Sequence, residues 1–301
     1  MNEQKQVMEQ VGIFNLNTAK VELGKYKINA PLIKPSKLTS VENGGIGKQL
    51  SDGWAINYAI GCMHGCRFCY VDAIHKRYGE SRIGKPLTKA WGNYFYTPMN
   101  INEAIEETKW SKWKGEEVMM CSTHDPYLPQ LLSTTRKILE KALPEGVRFC
   151  VQTRSPLVMR DFDLFEEYKK QVRIQVSLST INSKLASAIE PRVAPPESRL
   201  KVLERAKKIG LDTGVIIAPI FPSVKMRPYP FEDMKMLIGT ISKIRPDHIF
   251  GECLHIRGSN MKELEIALGE RPVLDGFDEQ AEKEFYKILK LSNLKGIWWK
   301  T

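Results

Sequence analysis

From residue 54 onward, short apolar runs alternate with segments whose apolar positions recur at helical spacing. WAINYAI (54–60), EVMMC (117–121), RFCVQT (148–153), RIQVSLS (173–179), TGVIIAP (213–219) and HIFGEC (248–253) have the length and composition of buried strands. Between them, 101–110, 129–143, 161–170, 196–209 and 230–244 carry amphipathic periodicity and predict helices. Pro129 and Pro196 fall where a first helical turn tolerates proline, and Gly146 and Gly210 follow helices as stops.

Six strands separated by helices predict parallel pairing through right-handed crossovers. An open doubly wound sheet and a partial barrel both satisfy that pattern, and in both the chemistry gathers at the carboxyl ends of the strands. Residues 1–52, turn-rich in NAPLIKPSK and ENGGIGKQ, predict a largely irregular N-terminal extension. The core then spans 53–260, and 261–301 forms a C-terminal helical segment. No internal repeat or low-complexity tract divides the chain.

Composition narrows the class. The 301 residues are 42% hydrophobic and 27% charged, an ordinary globular balance. No apolar run reaches spanning length and the opening MNEQKQVMEQ is polar, so the expectation is a cytoplasmic protein with no membrane partner. Six cysteines in a cytosolic chain of this size point to metal or redox chemistry rather than a disulfide framework. Lys and Arg number 45 against 35 Asp and Glu, a net +10 that suits a polyanion such as nucleic acid. A solvated basic surface accounts for the charge equally well.

The stretch GCMHGCRFCY (61–70) directly follows the first strand and holds Cys62, Cys66 and Cys69 within eight residues. Thiolates are the usual ligands of iron–sulfur clusters, and a four-iron cubane needs one ligand per iron. Three cysteines leave one iron open, and an open iron can chelate S-adenosylmethionine (SAM) through its amino and carboxylate groups. The spacing therefore predicts a [4Fe–4S] cluster with SAM as the fourth ligand. The alternative is a zinc site completed by His64 or His75, although the usual second C-x-x-C pair is absent.

The ordered set YAIGCMHGCRFCYV, MMCSTHDPY, FCVQTRS, VSLSTINSKLASAIEPR and GVIIAPIF resembles the radical SAM superfamily. Within it, the set resembles the spore photoproduct lyase group of DNA-repair-photolyase-like proteins, from about Trp54 to Gly258. The resemblance implies an α/β fold, a partial (β/α)6 TIM barrel of radical SAM type, with cluster and SAM at its open top. It assigns Cys62, Cys66 and Cys69 to the cluster. It places Cys121 where the lyases keep a cysteine that returns hydrogen to the product radical, and Tyr70 matches a tyrosine of theirs in the catalytic region. Cofactor contacts fall to Ser122 and Thr123 beside Cys121 and to Arg154 at the SAM carboxylate. Ser177 and Ser179 fall near the ribose and methionyl groups, and Ala218 and Pro219 around the adenosine. Phe68 stands where the lyases have a tyrosine. The ending RPVLDGFDEQAEKEFYKILKLSNLKGIWWK departs from theirs, and Asp125-Pro126-Tyr127 and Glu190-Pro191-Arg192 look closer to the wider group.

The implied activity is reductive SAM cleavage to a 5′-deoxyadenosyl radical, with an electron donor such as flavodoxin or ferredoxin. That radical abstracts hydrogen from a substrate, a nucleic-acid lesion in DNA or RNA if the lyase parallel holds. The same chemistry on a peptide, RNA base or metabolite is one alternative, and a non-catalytic iron–sulfur or zinc protein that binds nucleic acid is another.

Several residues carry a plainer reading. Cys150 and Cys253 lie in apolar runs and behave as small core hydrophobes. Cys121 ends a strand before the polar STHD, so it is either the hydrogen donor or packing beneath SAM. His124 and Asp125 could do acid–base work, but Asp125 suits turn stabilisation better; Arg192 and Arg199 suit structural pairing with Glu190, with contact to substrate as the alternative. KWSKWK (109–114) and KGIWWK could stack bases or anchor their tryptophans in the core. After the cysteines, Arg67, Lys76, Arg77, Arg82, Lys85 and Lys89 form a basic rim against only Asp72 and Glu80.

Overall fold

The six apolar runs become consecutive neighbours of one sheet in the computed structural model, which describes residues 21–36 and 50–300. The chain runs through β1 (Glu22–Tyr26), β2 (Ile33–Pro35), β3 (Trp54–Ile56), α1 (Val71–Tyr78), α2 (Glu80–Ile83), β4 (Tyr94–Pro98), α3 (Ile101–Glu107) and β5 (Glu117–Met120). It continues with α4 (Leu132–Ala142), β6 (Arg148–Thr153), α5 (Phe162–Glu167), β7 (Val172–Leu178), α6 (Ser183–Ile189), α7 (Pro196–Lys208) and β8 (Asp212–Ile220). Last come α8 (Pro230–Ile244), β9 (His248–Cys253), α9 (Asn260–Leu268), α10 (Phe277–Leu291) and β10 (Ile297–Trp299).

The main sheet has the order β10-β9-β8-β7-β6-β5-β3-β2. Every pair is parallel except β2–β3, which is antiparallel. Six of these parallel strands, β3 and β5 to β9, with helices in the crossovers, are the partial (β/α)6 barrel that the motifs imply, and β10 adds a seventh parallel strand beside β9. Burial on both faces explains why the strands read as unbroken apolar runs: every residue of β7 is buried. Arg173 within it pairs with Glu117 at 3.2 Å. Among the described residues, no helix is long and apolar enough to cross a membrane.

Residues 21–36 of the N-terminal extension carry two strands, β1 against β4 and β2 on the barrel edge; the rest of 1–49 lies outside the described residues. The run 54–60 leaves the sheet after Ile56, because Asn57 turns to the loop after β5 and Ile60 exchanges backbone bonds with Tyr96. Pro129 lies in a turn before α4, closed by Leu131 N–H donating to the Leu128 carbonyl at 2.8 Å, and not in the helix itself. The stretch 161–170 shortens to α5 between two 3-10 turns. Pro196 does open α7, and Gly210, at φ +80°, follows its end.

Candidate active site

The loop from β3 to α1 carries the three cysteines, and its path depends on close backbone contacts. Gly61 sits at φ +92°, where an added Cβ would lie 2.2 Å from the Tyr94 carbonyl oxygen. Arg192 fastens the loop, donating to the carbonyls of Met63 (3.2 Å) and Gly92 (2.5 Å) and to Asn93 Oδ1 (2.8 Å). Arg192 is thus structural, but through these loop groups and not through the expected Glu190, whose partners are Arg154 and Arg199. Asn260, from α9, donates to the Phe68 carbonyl at 2.9 Å.

Cys62, Cys66 and Cys69 line one cavity of about 210 Å³ at the carboxyl ends of the barrel strands. The same wall contains Tyr70, Cys121, Ser122, Thr123, Arg154, Ser177, Ala218 and Pro219. Ser179 is the exception among the expected site residues. Its hydroxyl donates to the Ala218 carbonyl at 2.9 Å and to Glu190 at 3.2 Å, behind the cavity wall. The reason is local: β7 ends at Leu178, so the alternation that would aim Ser177 and Ser179 alike stops between them.

Burial pushes the cluster-loop thiols up, Cys62 and Cys69 to about 12 each and Cys66 also upward. Holding three thiolates there requires cationic partners, as metal binding with release of the protons supplies. The donor set fits an iron–sulfur cluster in which each cysteine takes one iron and one iron stays free of protein. Among the described residues, no three His, Cys, Asp or Glu side chains are close enough to share one ion. His75 is also taken elsewhere: its Nε2 meets the Thr123 carbonyl at 3.0 Å and its ring stacks on Trp91. His64 does line the cavity, 3.5 Å from Asp125, and burial lowers its pKa.

Cys121 follows β5 and is 4% exposed. Burial raises its thiol well above the ordinary range, so the sulfur keeps its hydrogen at neutral pH. Asn57, which no sequence signal marked, sets the next two residues: its Oδ1 accepts from Ser122 N (3.0 Å) and Thr123 N (3.1 Å), and its Nδ2 donates to Ser122 Oγ (2.8 Å).

Asp125 ties this loop to β6. It accepts from Tyr127 N at 2.8 Å, Thr153 Oγ1 at 2.8 Å and Arg154 N at 2.7 Å, the turn role expected of it. Arg154 lies over the Phe68 ring (5.1 Å) and donates to Glu190 Oε1 (2.6 Å) and the Ala218 carbonyl (3.3 Å). Two of its five N–H bonds are thus used, and Arg154 also lines the cavity. Arg199, 1% exposed, grips the other Glu190 oxygen at 2.5 Å. Burial would raise the Glu190 carboxyl, but Arg199 and Arg154 together hold it below its ordinary value.

Cys150 and Cys253 are both buried in the core as expected, and Cys253, at the end of β9, also lines the cavity beside Glu252 and His255. Trp110, Trp113, Trp298 and Trp299 are all buried, so neither Lys/Trp segment offers its indoles for stacking.

The family model of the radical SAM superfamily matches residues 56–229. The chain is 56% identical over 287 residues to the ORF301 protein of Acidianus two-tailed virus, covering 95% of each. It is 27% identical to the MJ0683 protein of Methanocaldococcus jannaschii over 68% of this chain and 70% of that one. In fold it matches spore photoproduct lyase complexed with a dinucleoside spore photoproduct, at a TM-score of 0.66 and 14% identity, covering 99% of this chain and 93% of that structure.

Proposed function

The chain belongs to the radical SAM superfamily, and on that premise we propose that it is a lyase-like enzyme acting on a nucleic-acid lesion, with Cys121 as hydrogen donor. Family membership implies SAM, an iron–sulfur cluster and a reductant. The proposal makes the cluster [4Fe–4S], held by Cys62, Cys66 and Cys69, and the reductant a small cytoplasmic electron carrier such as flavodoxin or ferredoxin. Bound together, cluster and SAM supply a 5′-deoxyadenosyl radical that takes hydrogen from the substrate.

The protein's own residues supply position and a hydrogen atom. Arg154 offers its uncommitted N–H bonds to the SAM carboxylate. Ser122 and Thr123, held by Asn57, and Ser177, Ala218 and Pro219 form the wall around the rest of SAM. Tyr70 closes the side beside Cys69, its ring edge against His255 at 5.8 Å. Ser179 acts from behind, fixing Glu190 and the Ala218 carbonyl.

The observation that carries the lyase reading is the position of Cys121, a buried thiol at the end of β5 in the same cavity wall as the three cluster cysteines. A carbon radical takes hydrogen from the Cys121 S–H, forming C–H and leaving a thiyl radical. One electron from the reductant and one proton restore the thiol. The test is to supply the reduced, cluster-loaded protein with SAM and an oligonucleotide carrying a spore photoproduct. Loss of the lesion with restoration of two thymines is expected. SAM cleavage that leaves this lesion untouched favours another substrate of the same chemistry.

A further inference from the structure

The sequence's basic rim divides in the structure. Arg67 pairs with Glu263 (3.3 Å), Lys76 with Asp72 (2.8 Å) and Lys85 with Glu22 (2.6 Å). Arg77 and Arg82 instead join Lys27, Lys34 and Arg257 around a second hollow of about 1160 Å³. Among the described residues, no aspartate or glutamate lines it and none of the five cations forms an ion pair. All five are exposed. They come from three separate parts of the chain: the β1–β2 segment, α1 with α2, and the loop after β9.

Two further features make this more than a charged patch. Ser122 and Thr123 line both hollows, so the basic groove runs up to the wall of the cavity that holds Cys121 and the cluster cysteines. Tyr78, also in the groove, is 59% exposed and carries Arg77 5.2 Å from its ring centre. An exposed aromatic face among unpaired cations suits a base stacked beside its phosphates.

We propose that this groove binds the backbone of a nucleic-acid strand, in DNA or RNA, while one nucleotide turns past Ser122 and Thr123 towards Cys121. The proposal rests on the nucleic-acid reading of the active site and adds where the strand lies. The reaction cavity is much smaller than the groove, which suits a single unit inside and its neighbours outside. The site uses the N-terminal strands and α1–α2, leaving aside the two Lys/Trp segments whose indoles are buried.

The test measures binding of an undamaged, fluorescein-labelled oligonucleotide of about 20 nucleotides across a salt series, single-stranded and duplex, with cluster-loaded protein. The groove variant replaces Lys27, Lys34, Arg77, Arg82 and Arg257 by Gln. A smaller variant replaces only Lys27, Lys34 and Arg77, in case the larger one folds poorly, and iron content checks folding in both. A control replaces Lys109, Lys112 and Lys114, which are equally exposed. With about 0.7 counterions released per single-strand phosphate contact, the five-site variant should flatten the slope of log K against log salt by about 3.5, and the three-site variant by about 2. The control should keep the wild-type slope. Equal slopes for wild type and both groove variants, with wild type binding, place the strand elsewhere and overturn the groove while sparing the nucleic-acid reading. Wild type that binds neither oligonucleotide at any salt overturns the nucleic-acid reading and the groove with it.

Discussion

Arg154 donates from Nη1 to Oε1 of Glu190 at 2.6 Å, from the end of β6 to the end of α6. The same carboxylate holds Arg199, so one buried anion serves two guanidiniums beside the cavity wall. Removing it strands both. Glu190→Gln should cost on the order of 3–5 kcal/mol of stability, the usual penalty for breaking a buried charge pair. Urea unfolding of wild type and variant measures it, and an unchanged midpoint would mean that the cations find other partners.

Arg154 itself should affect SAM more than the fold, because Glu190 retains Arg199 when Arg154 is lost. Arg154→Ala should weaken SAM binding by about 1.5–3 kcal/mol, the value of a hydrogen bond to a charged group. Arg154→Lys should recover only part of that, lacking the planar fork. Calorimetric titration of cluster-loaded protein with SAM decides; wild-type affinity in the alanine variant contradicts the contact.

Cys121→Ala should leave cluster content and SAM binding as they are and change the fate of the substrate radical. A thiol exchanges its hydrogen with solvent, so the wild-type product formed in heavy water should gain one deuterium at the radical carbon. The variant should stall or yield abnormal adducts. Normal product at an undiminished rate from the variant means that the thiol only packs.

Buried histidines set an acid limit on stability. Burial lowers His75 to about 4 and His124 to about 3, so both are neutral in the fold. The unfolded chain protonates them below about 6.5. Their contribution is complete above about pH 6.5 and is lost as pH falls towards the folded values, at up to about 1.4 kcal/mol per pH unit for each imidazole. His124, edge-on to Tyr58 at 4.8 Å, tolerates an apolar ring. His124→Phe should therefore lose less stability than wild type between pH 7 and pH 5 in urea unfolding. Equal losses would assign the acid sensitivity to other groups.

What was legible in the sequence follows the range of the interaction. The cysteine triplet is a local spacing, and all three side chains meet in one cavity. The barrel strands are legible because burial on both faces leaves continuous apolar runs. By contrast, β1, β2 and β10 are partly exposed strands that carry no continuous buried run. Asn57 escaped notice because its role exists only once β3 and β5 lie side by side, 65 residues apart in sequence. Cys253 was legible as core because HIFGEC is apolar, and it is buried there; its place on the cavity wall as well follows from standing at the end of a barrel strand.

The most direct test of the central claim is formation of 5′-deoxyadenosine from SAM by anaerobically reconstituted, reduced protein, measured beside its iron content. About four irons per chain and SAM-dependent 5′-deoxyadenosine are expected. Both should disappear when Cys62, Cys66 and Cys69 are replaced by alanine. Stoichiometric zinc without iron uptake, or a full cluster that leaves SAM intact under strong reduction, would contradict the radical SAM account of this site.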